Sequence, residues 1–352
     1  MSSIEKTRVA IIGASGYTGA ELIRLCLSHP RLELVGLYAH RAAGARVAEI
    51  FPHLSGRLAS QLEQFRAFDA DEIAAAASAA FLALPHGESV PTAKSLHDRG
   101  LVVLDLSADF RLRDPEEYAA WYGPHAAPEL LPKARYGLVE RHRAALAGAR
   151  LVAVPGCYPT ATLLALAPLV AAGLVSADGL IVDAKSGVSG AGRNPSQATH
   201  FPEAGEGVRA YKVAEHRHTP EIEQELARAA GRPVRITFTP HLLPMTRGIL
   251  ATCYATPTDG SRPRAVYLAA LREAYADSAF VSVVETPPDT SHLRGSNRVH
   301  VTAVVDARAN RVIAMGAIDN LVKGAAGQAL QCLNVLSGWP ESTGLDAAPV
   351  FP

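Results

Sequence analysis

The first third of the chain alternates short apolar runs with segments whose apolar residues recur at helical spacing. Leu22, Leu25 and Cys26 share one face of a predicted helix, and residues 88–98 and the alanine-rich stretch 74–80 predict two more. Apolar runs predict strands at 8–12, 32–38, 80–84 and 101–104. Strands that alternate with helices indicate a doubly wound parallel sheet of Rossmann type.

Beyond residue 157 the apolar runs become more frequent and helical spacing becomes rarer. Strands are predicted at 179–184, 234–239, 249–255, 280–284, 299–305 and 312–315. A long helix is predicted at 319–336. We therefore expect an α/β protein with a Rossmann domain at 1–156 and an α+β domain with a mixed sheet at 157–318. The terminal segment 319–352 is expected to pack back on the first domain.

Charge, apolar segments and cysteine spacing limit the kinds of partner and cellular location that we expect. The 352 residues include 34 basic and 34 acidic side chains, so charge gives no reason to expect nucleic acid or an anionic membrane. The amino terminus lacks the apolar segment of a signal peptide, and no apolar run reaches the ~18 residues of a membrane span. Four cysteines lie far apart without metal-site spacing. These features predict a reduced, cytoplasmic protein without a metal, acting on a small molecule.

A glycine-rich loop follows the first predicted strand. The segment GASGYTG, residues 13–19, has the spacing G-x-x-G-x-x-G between a strand and a helix, where backbone amides can hold a pyrophosphate. A plain strand-to-helix turn is the alternative interpretation. The second strand ends in YAHR rather than in the acidic residue that favours NAD. Arg41 therefore favours the 2′-phosphate of NADP, unless it is simply a solvated loop residue.

Cys157 stands between turn-forming residues in the segment VAVPGCYPT, residues 152–160. Pro159 predicts a helix that starts at that proline, which leaves Cys157 within one turn of the helix amino terminus. This position favours a thiolate and can also bind an oxyanion. A buried structural thiol is the alternative, and it is our interpretation of Cys26, Cys253 and Cys332. A nucleophilic cysteine beside a nicotinamide site indicates hydride transfer through a thioester.

Two histidines precede another predicted helix in the segment EHRHTPE, residues 215–221. Thr219 at the N-cap and Pro220 at the first helical position predict a helix start that holds His218 just before the cap. His216 would point the same way in an extended segment. Both could instead decorate a surface loop. Further polar or glycine-rich loops follow predicted strands at 185–193, 241–248, 294–297 and 319–320, and each by itself favours a structural role.

Taken together, these segments resemble the N-acetyl-γ-glutamyl-phosphate reductases of the semialdehyde dehydrogenase family. The stretches that carry the resemblance span residues 13–329: GASGYTGAELIRL, ALPHG, DLSADFRL, PGCYPTA, SGVSGAGR, HRHTPEI, HLLPMTRGI, GSN and DNLVKGAAGQA. One departure is Val139, where the family usually has proline.

The resemblance implies a role for each matching position. Cys157 would be the acylated nucleophile and His218 the acid/base, oriented by Glu221 or His216. The residues implied to bind the cofactor are Gly13, Ser15, Gly16, Tyr17, Thr18, Gly19 and Pro85, with Ser186, Gly187 and Asn320 beside the nicotinamide. The arginines eligible to bind substrate are Arg111, Arg113, Arg193, Arg217 and Arg247.

The activity implied by the resemblance is NADPH-dependent reduction of N-acetyl-γ-glutamyl phosphate to the semialdehyde in arginine biosynthesis, by a homodimer or homotetramer. Two other hypotheses about the activity remain open. A close relative could reduce β-aspartyl phosphate or a carrier-bound aminoadipyl or glutamyl phosphate. A protein of another class could be a cysteine hydrolase or a non-catalytic NADP-binding regulator.

Overall fold

A computed structural model describes residues 6–352, which divide into two units. The first unit comprises the residues up to Pro155 together with Ala325–Asp346. The second comprises Gly156–Gly324 and Ala347–Pro352. The terminal segment 319–352 is therefore divided between the units. Residues 325–346 belong to the first unit, whereas residues 319–324 and 347–352 belong to the second.

The first unit contains a six-stranded parallel sheet whose strands follow the order β2-β1-β3-β4-β6-β5. The strands are β1 (Thr7–Ile12), β2 (Leu32–Tyr38), β3 (Ala79–Leu82), β4 (Val102–Asp105), β5 (Arg135–Tyr136) and β6 (Leu151–Ala153). The order reverses direction between β1 and β3, which is where ligands bind in doubly wound sheets. The predicted Rossmann-type sheet is confirmed.

Helices connect these parallel strands because a parallel pair needs a crossover. They are α1 (Tyr17–Ser28), α2 (Val47–Ile50), α3 (Ala70–Ala76), α4 (Ser89–Asp98), α5 (Pro115–Tyr122) and α6 (Val139–Leu146). The alanine-rich helix predicted at 74–80 lies earlier than expected. Asp69 caps its start by accepting from the amides of Asp71 and Glu72, and the chain has already entered β3 at Ala79.

The second unit contains a seven-stranded mixed sheet with the order β11-β12-β13-β10-β7-β9-β8. Its strands are β7 (Leu180–Gly187), β8 (Arg209–Ala210), β9 (Ile236–Leu243), β10 (Ile249–Ala255), β11 (Val281–Val283), β12 (Val299–Asp306) and β13 (Arg311–Ile318). The central pairs β7–β10, β10–β13 and β13–β12 are antiparallel, whereas β7–β9 is parallel. The prediction of a mixed sheet is confirmed.

Three helices belong to the second unit, namely α7 (Cys157–Ala171), α9 (Thr219–Ala230) and α10 (Arg264–Ala274), together with the single turn α8 (Phe201–Ala204). α7 packs across β10 and β13 and beside α9. It is apolar on all sides, and its residues from Tyr158 to Val170 are buried. A helix with no polar face belongs in the middle of a core.

The predicted helix 319–336 is wrong at its start. The side chain of Asp319 accepts from the amides of Leu321 and Val322, and the backbone then forms a wide π turn at Val322–Ala326. Only from Gly327 does it continue as α11 (Gly327–Leu336). Among residues 6–352, the helices are too short or too polar to cross a bilayer.

Candidate active site

The glycine loop of the first unit has the shape that a dinucleotide phosphate needs. Gly13 has a left-handed φ of 81°, and a Cβ there would stand 2.3 Å from the carbonyl oxygen of Ala83. A Cβ on Gly19 would stand 2.4 Å from the carbonyl oxygen of Ala14. A Cβ on Gly16, the N-cap of α1, would meet no atom nearer than 3.7 Å, so space remains in front of the helix amino terminus. Tight turn, close packing and an open approach are the three glycine roles of this motif.

The loops that leave β3 and β4 are joined by a buried acidic network. Asp105 accepts from the hydroxyls of Ser89 (2.5 Å) and Ser107 (2.6 Å), and its burial raises its pKa to about 6. Asp109 accepts from the amide of Gly87 (2.8 Å) and the hydroxyl of Tyr118 (3.0 Å). These bonds hold the segments ALPHG and DLSADF at the carboxyl edge of the sheet.

Three predicted ligands of the first unit have different surroundings. Arg41 and Pro85 are exposed in the loops that follow β2 and β3. Arg111 is buried, with 5% of its surface exposed. Its guanidinium donates to the carbonyl oxygens of Leu106 and Val154, each at 2.8 Å. Arg111 therefore holds the backbone at Val154, three residues before Cys157. Its contact with substrate stays a prediction.

Cys157 is the first residue of α7, with Gly156 as the N-cap. The prediction that the helix starts at Pro159 is wrong by two residues. A proline in the first turn costs little, because the first four amides of a helix have no partner within it. Cys157 is partly exposed. Its sulfur is therefore carried by the positive end of a fifteen-residue buried helix.

The histidine segment leads into α9. This helix starts one residue earlier than predicted. The helix begins at Thr219, so that His218 rather than Thr219 is the N-cap, with Pro220 in the first turn. No side-chain bond caps this helix, and the Thr219 hydroxyl is buried without a hydrogen-bond partner among the described residues. His218 is therefore fixed by the helix start itself.

His216, His218 and Tyr158 form an aromatic cluster beside the start of α7. The two imidazole centroids lie 4.8 Å apart, and the Tyr158 ring lies 5.6 Å from His216 and 5.9 Å from His218. Nδ1 of His216 accepts from the amide of His218 at 3.1 Å. Burial, with a smaller effect of the Lys212 cation, lowers the pKa of His216 to about 4. His216 is therefore neutral at pH 7 and keeps its proton on Nε2.

The Tyr158 hydroxyl links this cluster to the sheet. It donates to the carbonyl oxygen of His241 and accepts from the hydroxyl of Tyr211, both at 3.2 Å. Burial raises the pKa of Tyr158 far above its usual range and that of Tyr211 to about 12. Both phenols are therefore neutral donors at physiological pH.

Glu221 connects the two helix starts directly. Only 2% of its surface is exposed, and Oε1 accepts from the amide of Gly156 at 2.8 Å. The residue before the cysteine is thus bonded to Glu221, while the residue after it packs against the two histidines. The four predicted catalytic residues Cys157, His216, His218 and Glu221 are brought together in the second unit.

A second group of predicted residues surrounds the end of β7. Asn320 accepts from the amide of Gly248 at 2.8 Å and donates to the Ser189 hydroxyl at 3.0 Å. A Cβ on Gly187 would stand 2.8 Å from the backbone of Thr246 and Arg247. A Cβ on Gly190 would stand 3.1 Å from the Ser186 hydroxyl. Ser186, Gly187 and Asn320 therefore lie around one closely packed loop.

The remaining predicted arginines differ in how firmly they are held. Arg247 is partly buried, and its guanidinium lies 3.5 Å from the Asp319 carboxylate. Arg193 and Arg217 are exposed, and so is Arg113 in the first unit.

Cys26, Cys253 and Cys332 are buried, and burial raises the pKa of Cys26 and of Cys253 to about 12, as befits structural thiols.

Sequence reasoning missed the residues that support this site. In the sequence Asp319 is only a polar group at a strand end, yet it is wholly buried and also accepts from the Gly295 amide. Tyr211 has no sequence signal either, because its hydroxyl meets Tyr158 across 53 residues of chain. The alternation of buried and polar positions does not reveal such contacts.

Two family models match the chain over most of its length. The semialdehyde dehydrogenase NAD binding domain matches residues 8–149, and the semialdehyde dehydrogenase dimerisation domain matches residues 157–320. Among curated relatives, the N-acetyl-γ-glutamyl-phosphate reductase of Rhodospirillum rubrum is 52% identical, with 99% of each chain covered. The enzyme of that name from Magnetococcus marinus is 50% identical over 98% of this chain and 99% of its own.

Solved structures share the fold at low identity. Aspartate semialdehyde dehydrogenase II of Vibrio cholerae superposes with a TM-score of 0.71 at 17% identity, covering 95% of this chain and 99% of its own. The aspartate semialdehyde dehydrogenase of Candida albicans gives 0.65 at 13% identity over the same shares. With both domains matched and relatives aligned over their full length, the chain belongs to the semialdehyde dehydrogenase family, in the branch of the N-acetyl-γ-glutamyl-phosphate reductases.

Proposed function

We propose that the protein reduces N-acetyl-γ-glutamyl phosphate to N-acetyl-glutamate 5-semialdehyde, with release of phosphate, in arginine biosynthesis. The relatives that share about half of its residues carry the name of this reductase. The observation that carries the proposal is the place of Cys157. Cys157 opens a buried helix, and the segment at the start of α9 supplies Glu221 to the residue before Cys157 and two histidines to the residue after it.

The first chemical step belongs to the sulfur of Cys157. The helix amino terminus stabilises its thiolate, which attacks the acyl carbon, so that an S–C bond forms and the C–O bond to phosphate breaks. First-turn amides of α7 can donate to the oxygen that becomes negative during this attack. Cys157 then holds the acyl group as a thioester.

His218 handles the proton. It takes the proton of the thiol before attack and returns it to sulfur when the aldehyde leaves, a role worth about 10²–10⁴-fold in rate. The neutral His216 holds the backbone of His218 through its Nδ1 acceptor. In this mechanism His218 acts directly on the sulfur of Cys157, whereas His216 and Glu221 are positioning residues.

The first unit fits an NADP cofactor. The amides around Gly13, Ser15, Gly16, Tyr17, Thr18 and Gly19 would hold the pyrophosphate at the start of α1, where the open space before Gly16 fits a phosphate. Arg41, exposed after β2, would bind the 2′-phosphate, with Pro85 in the loop after β3. Ser186, Gly187 and Asn320 are assigned to the nicotinamide. When bound, NADPH supplies the hydride that reduces the thioester.

The protein is further proposed to act as a homodimer, or as a tetramer of two such dimers, in the cytoplasm. α7 and α10 cover one face of the seven-stranded sheet, whereas the other face leaves Ile181, Tyr254, Ile313 and Met315 partly exposed. An apolar sheet face of this kind fits a second copy of itself. Met315→Asp should shift the mass measured by light scattering toward the monomer, whereas Val266→Asp on α10 should not.

The activity is tested in the reverse direction. The protein, N-acetyl-glutamate 5-semialdehyde, phosphate and NADP⁺ should produce NADPH absorbance, and Cys157→Ser should abolish it. Retention of a near-normal rate by this variant would exclude the proposed mechanism. Aspartate semialdehyde offered in parallel distinguishes the related acyl-phosphate reductases. Acyl transfer to water without nicotinamide would instead identify a hydrolase.

A further inference from the structure

The nucleophile helix rests on two glycines. Cys157, Ala161 and Ala165 follow one another at four-residue spacing and so share one face of α7. A Cβ on Gly316, in β13, would stand 2.3 Å from the carbonyl oxygen of Ala161. A Cβ on Gly324, in the π turn, would stand 2.7 Å from the Cβ of Cys157 and 3.3 Å from its Cα. At both points this face of α7 therefore packs against a glycine, which has no side chain to fill the gap.

The π turn that carries Gly324 is anchored independently of Cys157. The Gly324 amide donates to the carbonyl oxygen of Asp319 at 3.0 Å, five residues back, which is the bond of a π turn. The Asp319 carboxylate caps the amides of Leu321 and Val322 and accepts from Gly295. Lys323 is wholly buried, with its ammonium 5.7 Å from the Phe280 ring centroid.

These anchors decide which group moves when the contact is crowded. Carbon atoms in contact stand about 3.5–4.0 Å apart, so a methyl group on Gly324 requires a displacement of about 1 Å. The turn is held by Asp319 and by its buried lysine, whereas Cys157 is the terminal residue of its helix. The displacement therefore falls mainly on Cys157.

We propose that Gly324 is a positioning residue for the reaction, because its missing side chain sets where the sulfur of Cys157 stands. This inference rests on the proposed role of Cys157 as nucleophile. The distance between Gly324 and Cys157 does not depend on that role, so the contact can be tested separately from the chemistry.

The kinetic test compares Gly324→Ala with Gly207→Ala. A Cβ on Gly207, an exposed residue of the same unit, would meet no atom nearer than 3.5 Å. Gly324→Ala should lower kcat about 10- to 100-fold, as misplacement of a reacting group by about 1 Å does, with KM nearly unchanged. Gly207→Ala should match the unsubstituted protein. A normal kcat in Gly324→Ala would overturn the proposal.

The structural test is a double-mutant cycle with Cys157→Gly, which removes the Cβ that a methyl group would meet. Gly324→Ala should lower the thermal midpoint of unfolding when Cys157 is present and should lower it much less in the Cys157→Gly background. An equal shift in both backgrounds would overturn the proposal. If Gly324→Ala does not fold, its recovery in the Cys157→Gly background supports the contact, and continued failure to fold refutes it.

Failure of the proposed function has a different signature. An active Cys157→Ser variant would remove the chemistry from Cys157, whereas the double-mutant cycle would still report whether Gly324 bears on it. If Cys157→Ser is inactive but the double-mutant cycle shows no coupling, only the role of Gly324 is refuted.

Discussion

The hydrogen bond between Glu221 and the Gly156 amide offers the sharpest test of how the cysteine is held. The matched control is Glu223 in the same helix, whose carboxylate accepts from the Ile236 amide at 3.0 Å and pairs with Arg235. Both glutamates are buried, with 2% and 7% of their surfaces exposed. They differ in that only Glu221 bonds to the residue before Cys157.

Removing either carboxylate should have a similar cost in stability. Glu221→Ala and Glu223→Ala each leave a backbone amide without its acceptor, which costs about 1–3 kcal/mol of unfolding free energy. The lost ion pair with Arg235 adds little, because that side chain is 79% exposed. Urea unfolding of the two variants should therefore give comparable losses.

Turnover should separate the two variants. Glu221→Ala frees the backbone that carries Cys157, so kcat should fall about 10- to 100-fold, as expected for a reacting group that is no longer held in place. Glu221→Gln keeps an acceptor oxygen and should lose less. Glu223→Ala should retain kcat. Equal losses of kcat in the two alanine variants, or a normal kcat in Glu221→Ala, would refute the reasoning.

Three further outcomes are expected. His218→Asn should slow reverse turnover about 10²–10⁴-fold, and far more than His216→Asn, because His216 acts through the backbone of His218; the opposite ranking would reassign the acid/base. The pKa of His216 is about 4 in the folded protein and near 6.5 in the unfolded chain, so the unfolded chain binds more protons between these values. Stability should therefore fall as the pH is lowered from 6.5 to 4, and a smaller fall in His216→Asn, measured by urea midpoints, would verify the assignment. Arg41→Ala should weaken NADPH binding more than NADH binding in fluorescence titrations, and equal weakening would show that Arg41 does not read the 2′-phosphate.

Local sequence patterns predicted most of the regular elements. The strands Leu32–Tyr38 and Ile249–Ala255 lie where their apolar runs placed them, because every second side chain of each strand is buried against the core. Weaker segments escaped detection. β5 has two residues and β6 three, and α5 and α6 have eight residues each. Pairing and packing, rather than periodicity, stabilise elements of this size.

The residues with chemical character were evident before the fold was known, since the turn signals around Cys157 and His218 are local. What surrounds them was not. Glu221 meets Gly156 across 65 residues of chain, Asn320 meets Gly248 across 72, and Gly324 lies against Cys157 across an even longer separation. Such contacts depend on how α7, α9 and the π turn pack against one sheet.

The sequence alone therefore determined the two kinds of sheet, the glycine loop and the choice of Cys157 as the predicted nucleophile, because each follows from residue types a few positions apart. Tertiary structure alone decided that α7 begins at Cys157 itself, that His216 is neutral, and that Gly324 stands against Cys157. These features arise from burial and close approach between distant segments, which no short-range pattern encodes.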